Sequence, residues 1–173
     1  MAFAGRSNAG KSSALNTITR NSKLARTSKT PGRTRLINFF TLNLPDARLV
    51  DLPGYGYAKV SREMQQDWHH NLDEYLNQRQ SLVGLTLLSD IRHPLQEFDR
   101  MMIDWCHHQG LPLMLLLTKA DKLKSGARNK QVQMVRQALR DVPCVQWIVP
   151  FSSLKQLGVE EARQHLSQWL TGE

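Results

Sequence analysis

Residues Gly5-Arg6-Ser7-Asn8-Ala9-Gly10-Lys11-Ser12 match the pattern G-x-x-x-x-G-K-[ST] at every fixed position. Few octets constrain a fold as tightly. The glycines let backbone N–H groups approach phosphate oxygens with no Cβ in the way. The lysine reaches the β and γ phosphates, and the serine hydroxyl is a Mg²⁺ ligand. The loop must be fed by a strand and followed by a helix whose positive end faces the anion. Met1–Ala4 accordingly reads as the end of a strand. Lys11–Thr19 reads as a helix with Ala14, Leu15 and Ile18 on one face.

The rest of the chain continues this alternation. Residues 20–35 are polar, basic and broken by Pro31-Gly32, hence a loop. Residues 36–42 and 47–51 read as strands around the turn at 43–46. A loop follows at 54–60. Arg62–Gln80 has Met64, Trp68, Leu72, Tyr75 and Leu76 at helical spacing, read as core packing. Residues 82–90, 111–119 and 144–151 are near-continuous apolar runs, as in parallel strands covered on both faces. Helices are expected at Leu95–His108, Ser125–Asp141 and Val159–Leu170. Strands alternating with helices predict one α/β domain spanning 1–173, with a mainly parallel sheet and helices on both faces.

In such a sheet the C-terminal ends of the parallel strands share one edge, where ligands bind. Four further motifs fall at those ends or in the loops beside them. Asp51-Leu52-Pro53-Gly54 ends a strand; its carboxylate can hold a Mg²⁺-bound water and the Gly54 N–H can meet a γ-phosphate oxygen. Alone it is also an ordinary strand-to-turn signal. Thr118-Lys119-Ala120-Asp121 ends another strand. Asp121 can accept from guanine N1–H and the exocyclic amine, donors that adenine does not match, while the Lys119 stem can cover one face of the purine. Phe151-Ser152-Ser153 follows the last strand, where backbone N–H groups can meet guanine O6. Thr34, in Thr30-Pro31-Gly32-Arg33-Thr34, can complete a Mg²⁺ shell. Each is weak or moderate by itself. Their order along one sheet edge assembles a single guanine-nucleotide site.

The net charge is +8, and residues 1–60 alone hold ten Lys/Arg against two acids. Six of those basic residues, Arg20, Lys23, Arg26, Lys29, Arg33 and Arg35, fall between 20 and 35 without an acid. Two readings stand: a solvated loop balanced by bound polyphosphate, or contact with a nucleic-acid backbone. Cys106 and Cys144 have no CxxC spacing and read as reduced core thiols. No apolar run approaches the ~20 residues needed to cross a bilayer, and a cytoplasmic protein without membrane contact is expected. The histidine pairs at 69–70 and 107–108 lack metal-ligand spacing. His93 reads as a structural link between a strand end and a helix start.

The stretches GRSNAGKSS, SKTPGRT, DLPGYGYA, SDIRHPL, LLTKADKL and FSSLK resemble the EngB-type (YihA/YsxC) GTPases, within the TRAFAC class. DLPGYGYA and DIRHPL are much narrower than general GTPase motifs. The resemblance implies a three-layer P-loop NTPase G domain, with a six-stranded, mainly parallel sheet and one antiparallel edge strand. It implies GTP hydrolysis and a switch role in assembly of the large ribosomal subunit, with effects on cell division and septation. Carried over by position, Gly5, Arg6, Ser7, Asn8, Ala9, Gly10, Lys11 and Ser12 hold the phosphates. Gly32, Arg33, Thr34, Arg35 and Leu36 belong to the first switch, and Asp51, Leu52, Pro53 and Gly54 open the second. Thr118, Lys119, Ala120 and Asp121 read guanine, supported by Phe151, Ser152 and Ser153. Ser12 and Thr34 bind Mg²⁺, with Asp51 acting through water. Members of the family carry a further N-terminal segment with an additional strand. That segment is expected to be missing here, leaving the first strand short and the sheet edge or core less covered. The expected partners are GTP or GDP and the large ribosomal subunit with its RNA, bound by a monomer.

Lys11, Thr34 and Asn8 are the candidate catalytic residues. Many GTPases orient the attacking water with a glutamine just after DxxG. Here that position is Tyr55, so slow intrinsic hydrolysis is expected. Asn8 either helps hold a K⁺ near the β and γ phosphates or only stabilises the loop. Two other functions compete with this one. A P-loop kinase would need an arginine-rich lid and leaves TKAD without a task. A septation scaffold would need a protein- or membrane-binding segment, and no basic amphipathic stretch with a broad apolar face is present.

Overall fold

The computed structural model describes residues 1–24, 37–55, 62–78 and 80–172. Six strands and five helices alternate in the expected order. They are β1 (Ala2–Gly5), α1 (Lys11–Thr19), β2 (Asn38–Thr41), β3 (Arg48–Asp51), α2 (Arg62–Gln78), β4 (Leu85–Asp90), α3 (Glu97–Gln109), β5 (Leu113–Thr118), α4 (Ser125–Ala138), β6 (Val145–Pro150) and α5 (Val159–Thr171). A single 3-10 turn, Ala120–Lys122, follows β5. The sheet order is β2-β3-β1-β4-β5-β6. β2 runs antiparallel to β3 at one edge, and the other pairs are parallel. This is the architecture that the resemblance implied.

Period-two alternation explains why both faces are covered. Leu85, Leu87, Leu113, Leu115 and Leu117 face one side, where they pack with Leu72 and Leu76 of α2, Met102 and Ile103 of α3, and Val132 and Val135 of α4. Phe3, Leu88, Met114, Leu116 and Val149 face the other, against Ala14, Leu15 and Ile18 of α1 and Ala162 and Leu166 of α5. Each fully buried Leu or Phe contributes about 1.5–3 kcal/mol. Cys106 and Cys144 are free and buried, as expected. Of the helical stripe in α2, Leu72 and Leu76 are buried and Tyr75 packs against that core; the side chains of Met64 and Trp68 lie outside the described residues.

Several strands are shorter than their apolar runs. β4 starts at Leu85, three residues into the run at 82–90. At Gly84, just before it, a Cβ would lie 2.5 Å from the Trp169 ring, so α5 packs closely on the entry to the strand. Leu95 takes a left-handed φ of 57°, so α3 starts at Glu97 and not at Leu95. There Gln96 and Asp99 cap it reciprocally. α4 ends at Ala138, before the expected Asp141, because Leu139 has already left helical geometry at φ −108°, ψ 8°.

Candidate functional site

The parallel strands deliver Gly5, Asp51, Asp90, Thr118 and Pro150 to one edge of the sheet. The phosphate loop leaves β1 there. Two of its residues have left-handed backbone, Asn8 at φ 67° and Gly10 at φ 86°. Gly10 meets this demand without a Cβ, and asparagine tolerates it better than most side chains. The turn closes through Ala9 N–H to the Arg6 carbonyl at 2.9 Å, and Gly10 caps α1. Asn8 is exposed and Ala9 is buried.

Lys11 opens α1 and is 8% exposed. Its Nζ donates to the carboxylate of Asp51, which ends β3 beside Phe3 of β1. A buried cation and a buried anion therefore neutralise each other at the mouth of the loop. The Ser12 hydroxyl is half-buried and has no protein partner among the described residues. One hydroxyl and one carboxylate are hard oxygen donors. That small set suits Mg²⁺, which is usually held by one or two protein oxygens together with substrate phosphate and water. Thr34, and with it Gly32, Arg33, Arg35 and Leu36, lies outside the described residues. Among those described, no three His, Cys, Asp or Glu side chains cluster as a metal site.

The segment after Asp51 is stitched to the phosphate loop. Ser7 N–H donates to the Tyr55 carbonyl at 2.7 Å, and Tyr55 N–H to the Gly5 carbonyl at 3.3 Å. Gly54 sits so close that a Cβ would lie 3.2 Å from Ser7 Oγ. The Tyr55 side chain is 3% exposed. Its hydroxyl donates to Asp99 Oδ1 at 2.9 Å, and its ring packs on Phe98 with centroids 5.1 Å apart. Asp99 Oδ2 accepts from Ser89 Oγ at 2.8 Å and from Gln96 N–H at 3.1 Å. Burial, the Asp99 charge and the hydrogen bond push the phenol well above its usual range. Burial also pushes the Asp99 carboxyl up, against the hydrogen bonds from Ser89, Tyr55 and Gln96 and the charge of Arg6.

At the other end, Thr118 Oγ1 donates to the Ala9 carbonyl at 2.7 Å, so β5 props the phosphate loop from below. Lys119 holds a left-handed φ of 58°, a conformation that costs a residue with a Cβ about 1–2 kcal/mol. Ala120 N–H donates to the Phe151 carbonyl at 3.0 Å, which joins the turn after β5 to the segment after β6. Asp121 Oδ1 accepts from Ser152 Oγ at 2.6 Å. Ser152 is buried, and its N–H already donates to the Leu157 carbonyl at 3.0 Å. The Ser153 and Leu154 N–H groups in the same turn have no protein acceptor among the described residues.

A family model described as "50S ribosome-binding GTPase" matches residues 1–119. A protein of Aeromonas salmonicida named "Probable GTP-binding protein EngB" is 61% identical over 170 residues, covering 98% of this chain and 77% of its own. The protein of the same name from Salmonella newport is 56% identical over 171 residues, covering 99% and 81%. The chain belongs to the EngB family of GTP-binding proteins. As a member of it, this EngB-family chain is a GTPase, producing GDP and phosphate from GTP and water. Among solved structures, a crystal structure of an engB GTP-binding protein superposes with a TM-score of 0.78 at 19% identity, covering 99% of this chain and 98% of its own. Era in complex with MgGDPNP and a segment of 16S ribosomal RNA gives 0.75 at 21% identity, covering 97% and 55%. At those identities the likeness is one of fold.

The structure thus gathers the described members of Gly5–Ser12, Asp51–Gly54, Thr118–Asp121 and Phe151–Ser153 along one edge. It adds residues to which the sequence assigned no role, namely Ser89, Asp90, Arg92 and Asp99. The first three belong to the stretch SDIRHPL, which was visible but had no spacing that tied it to a ligand, and Asp99 lies in the first turn of α3. His93 lies in the turn between β4 and α3, where its backbone N–H donates to the Asp90 carbonyl at 3.0 Å. Of the basic stretch at 20–35, Arg20 and Lys23 are described and exposed, and the others lie outside the described residues.

Proposed function

We propose that this EngB-family GTPase is a slow nucleotide switch that acts in assembly of the large ribosomal subunit. The observation that carries the switch is the pair of backbone hydrogen bonds between Tyr55 and the phosphate loop. Any γ-phosphate that draws in the Gly54 N–H must shift the segment already tied to Ser7 and, through the phenol, to α3. Nucleotide state is thereby coupled to a surface helix.

In this reading Lys11 is the residue that would exchange Asp51 for the β and γ phosphates. Ser12 and Thr34, with Asp51 through water, would hold a Mg²⁺, which would supply charge neutralisation on the phosphates. Asp121, oriented by Ser152, accepts from the guanine edge, and the Ser153 N–H meets O6. Tyr55 is turned into the core, so it does not orient the attacking water, and a low intrinsic rate follows. Asn8, exposed in the phosphate loop, would be the residue to hold a K⁺ that offsets phosphate charge; the competing reading gives it the loop conformation alone. The basic residues of 20–35 meet ribosomal RNA, and effects on division and septation follow from impaired ribosome supply. The protein acts as a single cytoplasmic G domain and as a monomer.

The family description as ribosome-binding supports the partner. Co-sedimentation with purified large subunits tests it. Binding favoured by a non-hydrolysable GTP analogue over GDP, and weakened by salt through counterion release, is expected. Equal absence of binding with both nucleotides, while guanine nucleotide is still bound, would remove the ribosome reading.

A further inference from the structure

Two carboxylates and two cations crowd the base end of the site. Asp90 ends β4 directly beside Thr118 of β5. Arg92 grips it twice, Nε to Oδ1 at 3.0 Å and Nη2 to Oδ2 at 2.7 Å, and the Arg92 N–H donates to Oδ1 at 2.9 Å. Lys119 Nζ lies 3.4 Å from Oδ2. Asp90 therefore holds both cations. Asp121, two residues beyond Lys119, has no cation within ion-pair distance among the described residues, and it accepts a hydrogen bond from the neutral Ser152 hydroxyl. Arg92 is nonetheless close enough to feel the Asp121 charge.

We propose that Asp90 is a specificity-determining positioning residue, which sequesters Lys119 and Arg92 so that the Asp121 carboxylate stays open to the guanine edge. The inference rests on Asp121 being the base reader. The physics is competition for one acceptor. A carboxylate paired with ammonium or guanidinium is already saturated by charge-assisted hydrogen bonds. Base N–H groups would have to displace that partner. A site that needs both oxygens for N1–H and the exocyclic amine loses the second contact first, so discrimination falls along with affinity. A cleft of about 200 Å³ lined by Asp90, Lys119 and residues of the phosphate loop opens beside these groups.

The test compares the full chain with Asp90→Asn, which keeps the hydrogen bond to the Arg92 N–H and removes the charge. Dissociation constants for GDP and for inosine diphosphate, which lacks the exocyclic amine, are measured by calorimetry. Wild type should prefer GDP by about ten- to a hundredfold, the value of one charged hydrogen bond. Asp90→Asn should shrink that ratio by about tenfold, and Asp90→Glu should restore it. If Asp90→Asn does not fold, Asp90→Ser, which also accepts from the Arg92 N–H, gives the same comparison. Equal weakening of both nucleotides with the ratio unchanged would mean that Asp90 is merely structural and would overturn the proposal. A wild-type protein without preference for GDP would overturn the base-reading role of Asp121 as well.

Discussion

The Tyr55 phenol donates to Asp99 across 2.9 Å of buried space, joining the residue after DxxG to helix α3. Two positions are tied that lie 44 residues apart in the chain. The aromatic ring that replaces a water-positioning glutamine is thus a packing and hydrogen-bonding element. Its backbone holds the phosphate loop while its hydroxyl holds the helix.

Tyr55→Phe should therefore affect stability more than chemistry. Asp99 keeps Ser89 and the Gln96 N–H but loses one of its donors, which costs about 1–3 kcal/mol. Thermal melting should record the loss, and single-turnover GTP hydrolysis should change by less than about tenfold. A hundredfold loss of rate with melting unchanged would put the phenol in the reaction.

Lys11→Ala leaves the Asp51 carboxylate buried without its cation. Breaking a buried pair by removing one partner destabilises by about 3–5 kcal/mol. The nucleotide-free protein should melt markedly lower and GTP binding should be lost. Lys11→Ala/Asp51→Asn should recover much of the melting temperature and none of the binding. If the single and double variants melt alike, the ion pair does not stabilise the nucleotide-free fold.

Asp90 contributes to the acid limb of stability. Burial pushes its carboxyl up, but hydrogen bonds from the Arg92 side chain and N–H, with the charges of Arg92 and Lys119, hold it down at about 2. The folded value lies below the unfolded one near 3.8. Its contribution is then complete above about pH 4 and lost as pH falls toward 2. Asp99, raised by burial, acts in the opposite sense, since its folded form takes up a proton more readily. Melting curves between pH 5 and pH 2 should fall less steeply for Asp90→Asn than for wild type.

Burial pushes both thiols up, that of Cys106 with a further push from Cys144. Neither should react with an alkylating reagent at pH 8 while the protein is folded, and both should react in denaturant. Fast labelling of either thiol in the native state would show that the core around α3 opens.

Asn8→Ala separates the two readings of that side chain. Under the potassium reading, wild type hydrolyses GTP faster in KCl than in NaCl at saturating nucleotide, and the variant does not. Equal wild-type rates in the two salts would leave Asn8 with its loop conformation alone.

How far the amino-acid order reached can be seen in particular residues. Gly5–Ser12, Asp51–Gly54 and Thr118–Asp121 were legible because phosphates and a purine demand those residue types in that order, each after an apolar run. The covering of both sheet faces was legible in Leu113–Leu117, where successive side chains must point opposite ways. Element ends were less so. The start of α3 depends on a capping exchange between Gln96 and Asp99 and on the left-handed backbone of Leu95.

The sequence by itself determined that this chain binds a nucleotide at the edge of a parallel sheet, because local chemistry dictates the loop and the strand–helix rhythm dictates the layers. Only the tertiary structure decided that Tyr55 points inward to Asp99, that Lys11 pairs with Asp51, and that Asp90 rather than Asp121 holds Lys119 and Arg92. Each of these is a choice among several charged or polar partners far apart in the chain. Hydrogen-bond and ion-pair partners are selected by distance and burial, to about an ångström, and no pattern along a single chain encodes that distance.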